Sequence, residues 1–180
     1  MAVVKKGDKA IDFKFDTIYE TGLRFSDVVK NADTTILHFL RYYGCRLCQL
    51  DIREYAKLID KIKEKNAQLY IVLQSKPSTM VKAENEIELP FDIICDPDQK
   101  LYKLYEIGSL LDRGLVDQEK MAEKRKQYED MGLVHGEYEG NEDQLPALFI
   151  VNKDMEITYT QYSKNLVDMP SPKEIVENLI

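Results

Sequence analysis

The sequence predicts an α/β fold in which a central mixed β-sheet is flanked by helices, and three observations carry that prediction. From residue 34 to residue 105, short apolar runs alternate with segments of helical spacing, the pattern of parallel strands joined through crossover helices. Residues 147–162 hold two strand-like stretches around Asn152-Lys153-Asp154, which reads as a hairpin adding antiparallel strands. Ser171-Pro172-Lys173-Glu174 then opens a last helix with a capping box and a proline at its first position.

Taken in order, Ala10 to Val29 reads as an N-terminal β-hairpin. Phe13 and Phe15 alternate with charged residues, Glu20-Thr21-Gly22 turns the chain, and Leu23-Arg24-Phe25 returns it. Ser26-Asp27 is expected to cap a helical turn to about Lys30. Thr34 to Tyr42 is near-continuously apolar, as a strand covered on both faces must be. Gly44 breaks it, and from Arg46 the spacing of Leu47, Leu50, Tyr55, Leu58, Ile59 and Ile62 predicts a helix to about Lys65. Gln68 to Gln74 is a second buried strand. Pro77 starts a helix over about 78–88, and Phe91 to Cys95 is a short strand. Leu101, Tyr102, Leu104 and Tyr105 form one face of a short helix. The last strands are Ala147–Val151 and Glu156–Tyr162, and the final helix runs to Ile180. Two parallel strands and the terminal hairpin give a four-stranded mixed sheet.

Residues 107–144 differ from the rest. They hold ten acidic and five basic residues and so supply −5 of the net charge of −7. Their centre, VDQEKMAEKRKQYED, predicts a largely solvated helix, and Gly132, Gly136 and Gly140 punctuate an acidic loop after it. With too few apolar residues for a core of its own, this stretch reads as an insertion within one domain spanning 1–180.

Composition excludes several classes of function. A chain of 180 residues, 44% hydrophobic, suits one domain with a sizeable core. A net charge of −7 provides neither the basic face that nucleic acid requires nor attraction to an anionic membrane. The N-terminal MAVVKKGDKAIDF lacks a signal-peptide core, and no run is long enough to span a bilayer. A cytoplasmic location is expected. Three cysteines make no disulfide scaffold for a chain of this size.

The chemistry concentrates at Tyr43-Gly44-Cys45-Arg46-Leu47-Cys48. A C-x-x-C pair where a strand hands over to a helix reads as a redox centre. Unpaired N–H groups and the positive end of the helix dipole favour a thiolate there. Arg41 and Arg46 add positive charge, and the second cysteine lies about one turn on, within disulfide reach. Tyr42 and Tyr43 precede the turn, one facing inward and the other toward the site. His38 reads as a core histidine, His135 as solvated and Cys95 as a small buried residue. Two rival readings stay open: a non-catalytic binding module, and a zinc domain, for which only Cys95, His38 and His135 remain as further ligands besides carboxylates. The redox reading needs no cofactor and no metal.

The element order resembles the thioredoxin fold. The CRLC turn, Leu145-Pro146 before ALFIV, and the N-terminal hairpin together with LPFDIICDPDQKLYKLYEI make the resemblance more specific. These are similar to the peroxiredoxins and the wider alkyl hydroperoxide reductase / thiol-specific antioxidant family. The resemblance implies a thioredoxin-like fold with a peroxiredoxin-type insertion, an antioxidant thiol–disulfide oxidoreductase or thiol-dependent peroxidase, and a cis-proline at Pro146 facing the site. It also implies a disulfide or peroxide substrate, a thioredoxin- or glutaredoxin-like reductant and a homodimer. The family's P-x-x-x-T-x-x-C pattern places Arg41 and Cys45 where proline and threonine are usual, and Pro146 where an arginine is usual. By thioredoxin logic Cys45 attacks from an exposed turn and Cys48 resolves; by peroxiredoxin logic the roles reverse. Cys45 is favoured for disulfides and Cys48 for peroxide, with Pro146, Tyr43, Gly44, Arg41 and Arg46 shaping the site.

Overall fold

The structure is a computed structural model that describes residues 3–111 and 116–180; positions 112–115 of the acidic stretch lie outside the described residues. Its centre is a five-stranded sheet in the order β5-β4-β3-β6-β7. The strands are β3 (Thr34–Phe39), β4 (Ala67–Leu73), β5 (Asp92–Cys95), β6 (Ala147–Asn152) and β7 (Ile157–Tyr162). β3 pairs parallel with β4 and antiparallel with β6, β4 pairs parallel with β5, and β6 pairs antiparallel with β7. The expected four strands are thus five, because Asp92–Cys95 adds to the β4 edge in register with Tyr70–Leu73.

The N-terminal hairpin forms as β1 (Lys14–Phe15) and β2 (Leu23–Arg24). A four-residue helix, α1 (Phe25–Val28), follows, with a 3₁₀ turn at Val29–Asn31. The expected cap is corrected here. Neither Ser26 nor Asp27 caps this helix; the Asp12 carboxylate accepts the Ser26 N–H at 2.9 Å from across the hairpin. Local sequence could not reveal a cap supplied from twelve or more residues away.

The remaining helices are α2 (Arg46–Glu64), α3 (Pro77–Glu86), α4 (Lys100–Leu104), α5 (Gln118–Asp130) and α6 (Pro172–Asn178). α3 has its proline in the first turn, and α6 has the predicted reciprocal Ser171–Glu174 capping box. On one side of the sheet Ile36, Ile71 and Ile150 pack against Ile52, Tyr55 and Ile62 of α2 and Ile175 and Val176 of α6. On the other, Leu37, Phe39 and Phe149 meet the hairpin phenylalanines and Tyr102 and Tyr105. β3, between two partners, therefore has both faces covered, as its continuous apolarity requires.

α5 is mostly exposed, as its composition predicts, but Tyr128 is buried with Leu50 of α2 and Leu133. The stretch read as an insertion therefore borrows its apolar contacts from α2. Among the described residues, no helix is long and apolar enough to cross a membrane.

Candidate active site

The site forms where β3 ends, and register explains why its parts meet. Phe39 lies opposite Val72 of β4 and Ala147 of β6. The residues just past β3 are thereby set beside those just past β4 and just before β6. Tyr102 pins this end of the sheet, its hydroxyl donating to the Leu40 carbonyl at 2.6 Å and lying 3.0 Å from that of Val72. The chain then turns tightly, with the Cys45 N–H donating to Tyr42 O. Cys45 is the N-cap of α2, and its carbonyl accepts the first helical bond from Gln49 N at 2.9 Å.

Both cysteines are reduced, and they are close. Cys45 keeps 2% of its surface and Cys48 4%, so the exposed turn expected for Cys45 is corrected to a covered one. Arg41 binds the pair from both ends: its Nη2 donates to Cys45 Sγ at 2.9 Å, and its backbone N–H donates to Cys48 Sγ at 3.3 Å. The two thiols separate electrostatically. The Cys48 S–H donates to Cys45 and, with the Arg41 charge and the N–H groups of Cys48 and Leu47, lowers the Cys45 thiol below the ordinary value, outweighing burial. Burial first, and then donation of its proton to Cys45, pushes Cys48 well up. The arrangement thus favours the thiolate at Cys45 and the protonated thiol at Cys48.

Against the turn that carries Cys45 lies a strap formed by residues 133–144. The Gly136 N–H donates to Gly44 O at 2.8 Å, and Gln49 Nε2 to Val134 O at 2.9 Å. Arg41 Nη1 donates to Glu142 O at 2.7 Å. Gln74 holds Asn141 by accepting its N–H at 2.7 Å while its own amide lies 3.2 Å from Asn141 O. The Glu139 carboxylate accepts from Lys76 N and Thr79 Oγ1 at the start of α3. Gly44 is required by this contact: a Cβ there would stand 2.2 Å from the Glu137 carbonyl oxygen.

Other expected site residues divide. Tyr42 is buried and its hydroxyl pairs with His135 Nε2 at 3.2 Å, so His135 is half-buried against the site rather than solvated. Tyr43 is half-buried at the turn, its N–H donating to Ser75 Oγ at 2.8 Å. Arg46 turns toward α5, its guanidinium 4.5 Å from the Tyr128 ring centre, which leaves Arg41 as the cation that contacts the thiols. Pro146 lines a cavity with Cys48 and Arg41. Its peptide bond is trans, as is every other among the described residues, which corrects the expected cis geometry. Leu145 N donates to Gly108 O at 3.1 Å, and the chain enters β6 extended from there.

His38 is a core residue, its Nδ1 2.9 Å from Tyr55 Oη; burial lowers its pKa to about 3. Cys95, half-buried rather than buried as expected, lies at the end of β5, two strands from β3, where partial burial and Glu139 raise its thiol to about 12. Among the described residues, no three His, Cys, Asp or Glu side chains gather in a way that could hold a metal ion, so the zinc reading finds no ligand set. Gln49, Gln74, Asp51 and Lys124 escaped the sequence reading. A glutamine that will anchor a loop some seventy residues away carries no local mark.

The AhpC/TSA family model matches residues 6–160. No curated protein matches the sequence. A solved yeast mitochondrial 1-Cys peroxiredoxin is 14% identical with a TM-score of 0.70, over 98% of this chain and 75% of that one. A PrxQ variant from Xylella fastidiosa is 12% identical with a TM-score of 0.69, over 99% and 97%. A putative thiol:disulfide interchange protein DsbE from Chlorobium tepidum is 19% identical with a TM-score of 0.61, over 97% and 94%. At these identities the structures establish the thioredoxin-like fold, whereas the family model spans most of the chain. With a thioredoxin-like sheet and its cysteines at the start of α2, the chain belongs to the AhpC/TSA family of thiol oxidoreductases and peroxidases.

Proposed function

We propose that Cys45 and Cys48 form a dithiol–disulfide centre in which Cys45 attacks and Cys48 resolves. The observation that carries this reading is the unequal pair: Cys45 Sγ is 2.9 Å from Arg41 Nη2 at the N-cap of α2, while Cys48, one turn into the helix, favours keeping its proton. The thiolate is the nucleophile in either reaction. With a disulfide, Cys45 displaces one sulfur and Cys48 then displaces the other. With a hydroperoxide, the Cys45 thiolate attacks the terminal oxygen, the O–O bond breaks and the remainder leaves as an alcohol or water, giving a sulfenic acid; Cys48 then attacks Cys45 Sγ and that oxygen leaves as water as the disulfide closes. The closed strap suits a peroxide or a small disulfide, since a protein disulfide requires the strap to lift.

An external dithiol of the thioredoxin or glutaredoxin kind would return the pair to its reduced state. The solved yeast relative is described with glutathione and thioredoxin systems, in keeping with this. Arg41, Gly44, Tyr43 and Pro146 shape the site, and Arg46 steadies it from a distance by holding α5. We place the protein in the cytoplasm as one domain, working alone or as a homodimer.

The test is a pair of variants in single turnover with a hydroperoxide or a small aromatic disulfide. Cys45→Ser should abolish the first step. Cys48→Ser should retain it and accumulate a sulfenic acid or a mixed disulfide. Loss of the first step in Cys48→Ser alone would reverse the roles, and undiminished turnover in both variants would remove the redox reading in favour of a binding module.

A further inference from the structure

Beside Cys48 lies a small, partly enclosed cavity of about 30 Å³. Its polar groups are Cys48 and Arg41 at one end and Asp51 and Lys124 at the other, with Leu47 and Pro146 among its apolar walls. Cys48 and Asp51 are three residues apart on α2 and so share a face one turn apart. Lys124 comes from α5, its Nζ 3.2 Å from Asp51 Oδ1, with 21% and 17% of the two side chains accessible. The volume holds about one water, and the thiol, carboxylate and ammonium supply the partners that a buried water needs. Lys124 also lines a larger groove of about 700 Å³ between α2, α5 and the segment before α6, so the ion pair connects the cavity to solvent.

A chemical gap accompanies this geometry. In the reduced protein the Cys48 proton is shared with the Cys45 thiolate. Once Cys45 carries a substrate sulfur, that acceptor is gone, and Cys48 must still lose its proton in order to attack. We propose that Asp51, paired with Lys124 of the inserted helix, accepts the Cys48 proton through a water in this cavity during resolution. The inference rests on the roles assigned above to Cys45 and Cys48.

The step balances. The Cys48 S–H bond breaks and its proton passes by way of water to the Asp51 carboxylate. The Cys48 sulfur attacks Cys45 Sγ, the Cys45–Cys48 bond forms, and the bond from Cys45 to the substrate sulfur breaks. The electron pair leaves with that sulfur as a thiolate. The two cysteines are oxidised and the substrate disulfide is reduced.

Asp51 faces Lys124 from α5, Glu54 and Tyr55 from its own helix, and Cys48 and Arg41 across the cavity; His38 of β3 stands behind Tyr55. Burial raises the Asp51 pKa and Lys124 lowers it. Resolution should therefore slow as pH falls through the Asp51 titration, and losing Lys124 should move that decline to higher pH.

The experiment uses the full chain with Cys95→Ser, reduced and mixed with a chromogenic aromatic disulfide in a stopped flow. The first burst of aromatic thiolate reports attack by Cys45, and the second reports resolution. Asp51→Asn should leave the first burst within about twofold and slow the second by about tenfold or more at neutral pH. The second should then rise steadily with hydroxide. Lys124→Met should shift the acid limb of the second burst upward without removing it, and it serves alone if Asp51→Asn fails to fold. An unchanged second burst and pH profile in both variants, with the first intact, overturns the proton-acceptor role. Absence of any first burst in the parent instead overturns the reading of the pair itself, and this inference with it.

Discussion

Replacing Gly44 by alanine is the sharpest test of the strap. The added Cβ would lie 2.2 Å from Glu137 O and 2.9 Å from the Gly136 carbonyl carbon. An ordinary contact needs more than an ångström of extra room, and the obstacle is backbone, so no rotamer change relieves it. The strap must move off the turn, and the 2.8 Å bond from Gly136 N to Gly44 O goes with it. Overpacking costs roughly 1–3 kcal/mol, and losing a hydrogen bond costs roughly another 1 kcal/mol. Taking about 2 kcal/mol as the net effect, the open strap becomes about thirtyfold more populated. Cys45 has 2% of its surface exposed when the strap is closed, so its alkylation is limited by opening. The assay is the iodoacetamide rate at Cys45 in the reduced protein, resolved by peptide mapping. An increase of about tenfold or more is expected, with cleavage by a nonspecific protease appearing within 133–144. A rate within about twofold of the parent, in a folded variant, would refute the argument that this contact closes the site.

Two further outcomes follow from the same geometry. Arg41→Met removes both the cation at Cys45 Sγ and the bond to Glu142 O; the midpoint of Cys45 thiolate formation, read by ultraviolet absorbance, should rise toward the value of about 8.5 for a free cysteine. His38 is neutral when folded, with a pKa of about 3, against about 6.5 when unfolded. Above the unfolded value both states are neutral; below it only the unfolded chain takes up the proton, so stability falls as pH falls toward 3. The loss should reach about 2 kcal/mol by pH 5 and be absent in His38→Gln, as measured by denaturant melts of both proteins.

The acidic stretch shows how far sequence reading reached. Its helix was legible because polar residues with good helix propensity suffice for a solvated helix. Its destination was not. Gln49, Gln74, Gly44 and Arg41 hold the strap that follows α5 through bonds to its backbone carbonyls and N–H groups. A backbone acceptor is the same at every residue, so no side-chain pattern in 133–144 marks it as a partner. The loop glycines permit close approach without naming what is approached.

The sequence by itself determined the strand and helix order, the capped last helix, the covered central strand and the C-x-x-C at the start of α2. Each depends on periodicity or on neighbours within a few residues. Tertiary structure decided that Cys45 is covered, that Arg41 rather than Arg46 meets the thiols, that Pro146 enters β6 in trans, and that Asp51 and Lys124 share a cavity with Cys48. These depend on strand register and on segments some seventy to one hundred residues apart meeting at one end of a sheet, where a side chain's charge and protonation are set by neighbours that the chain order does not reveal.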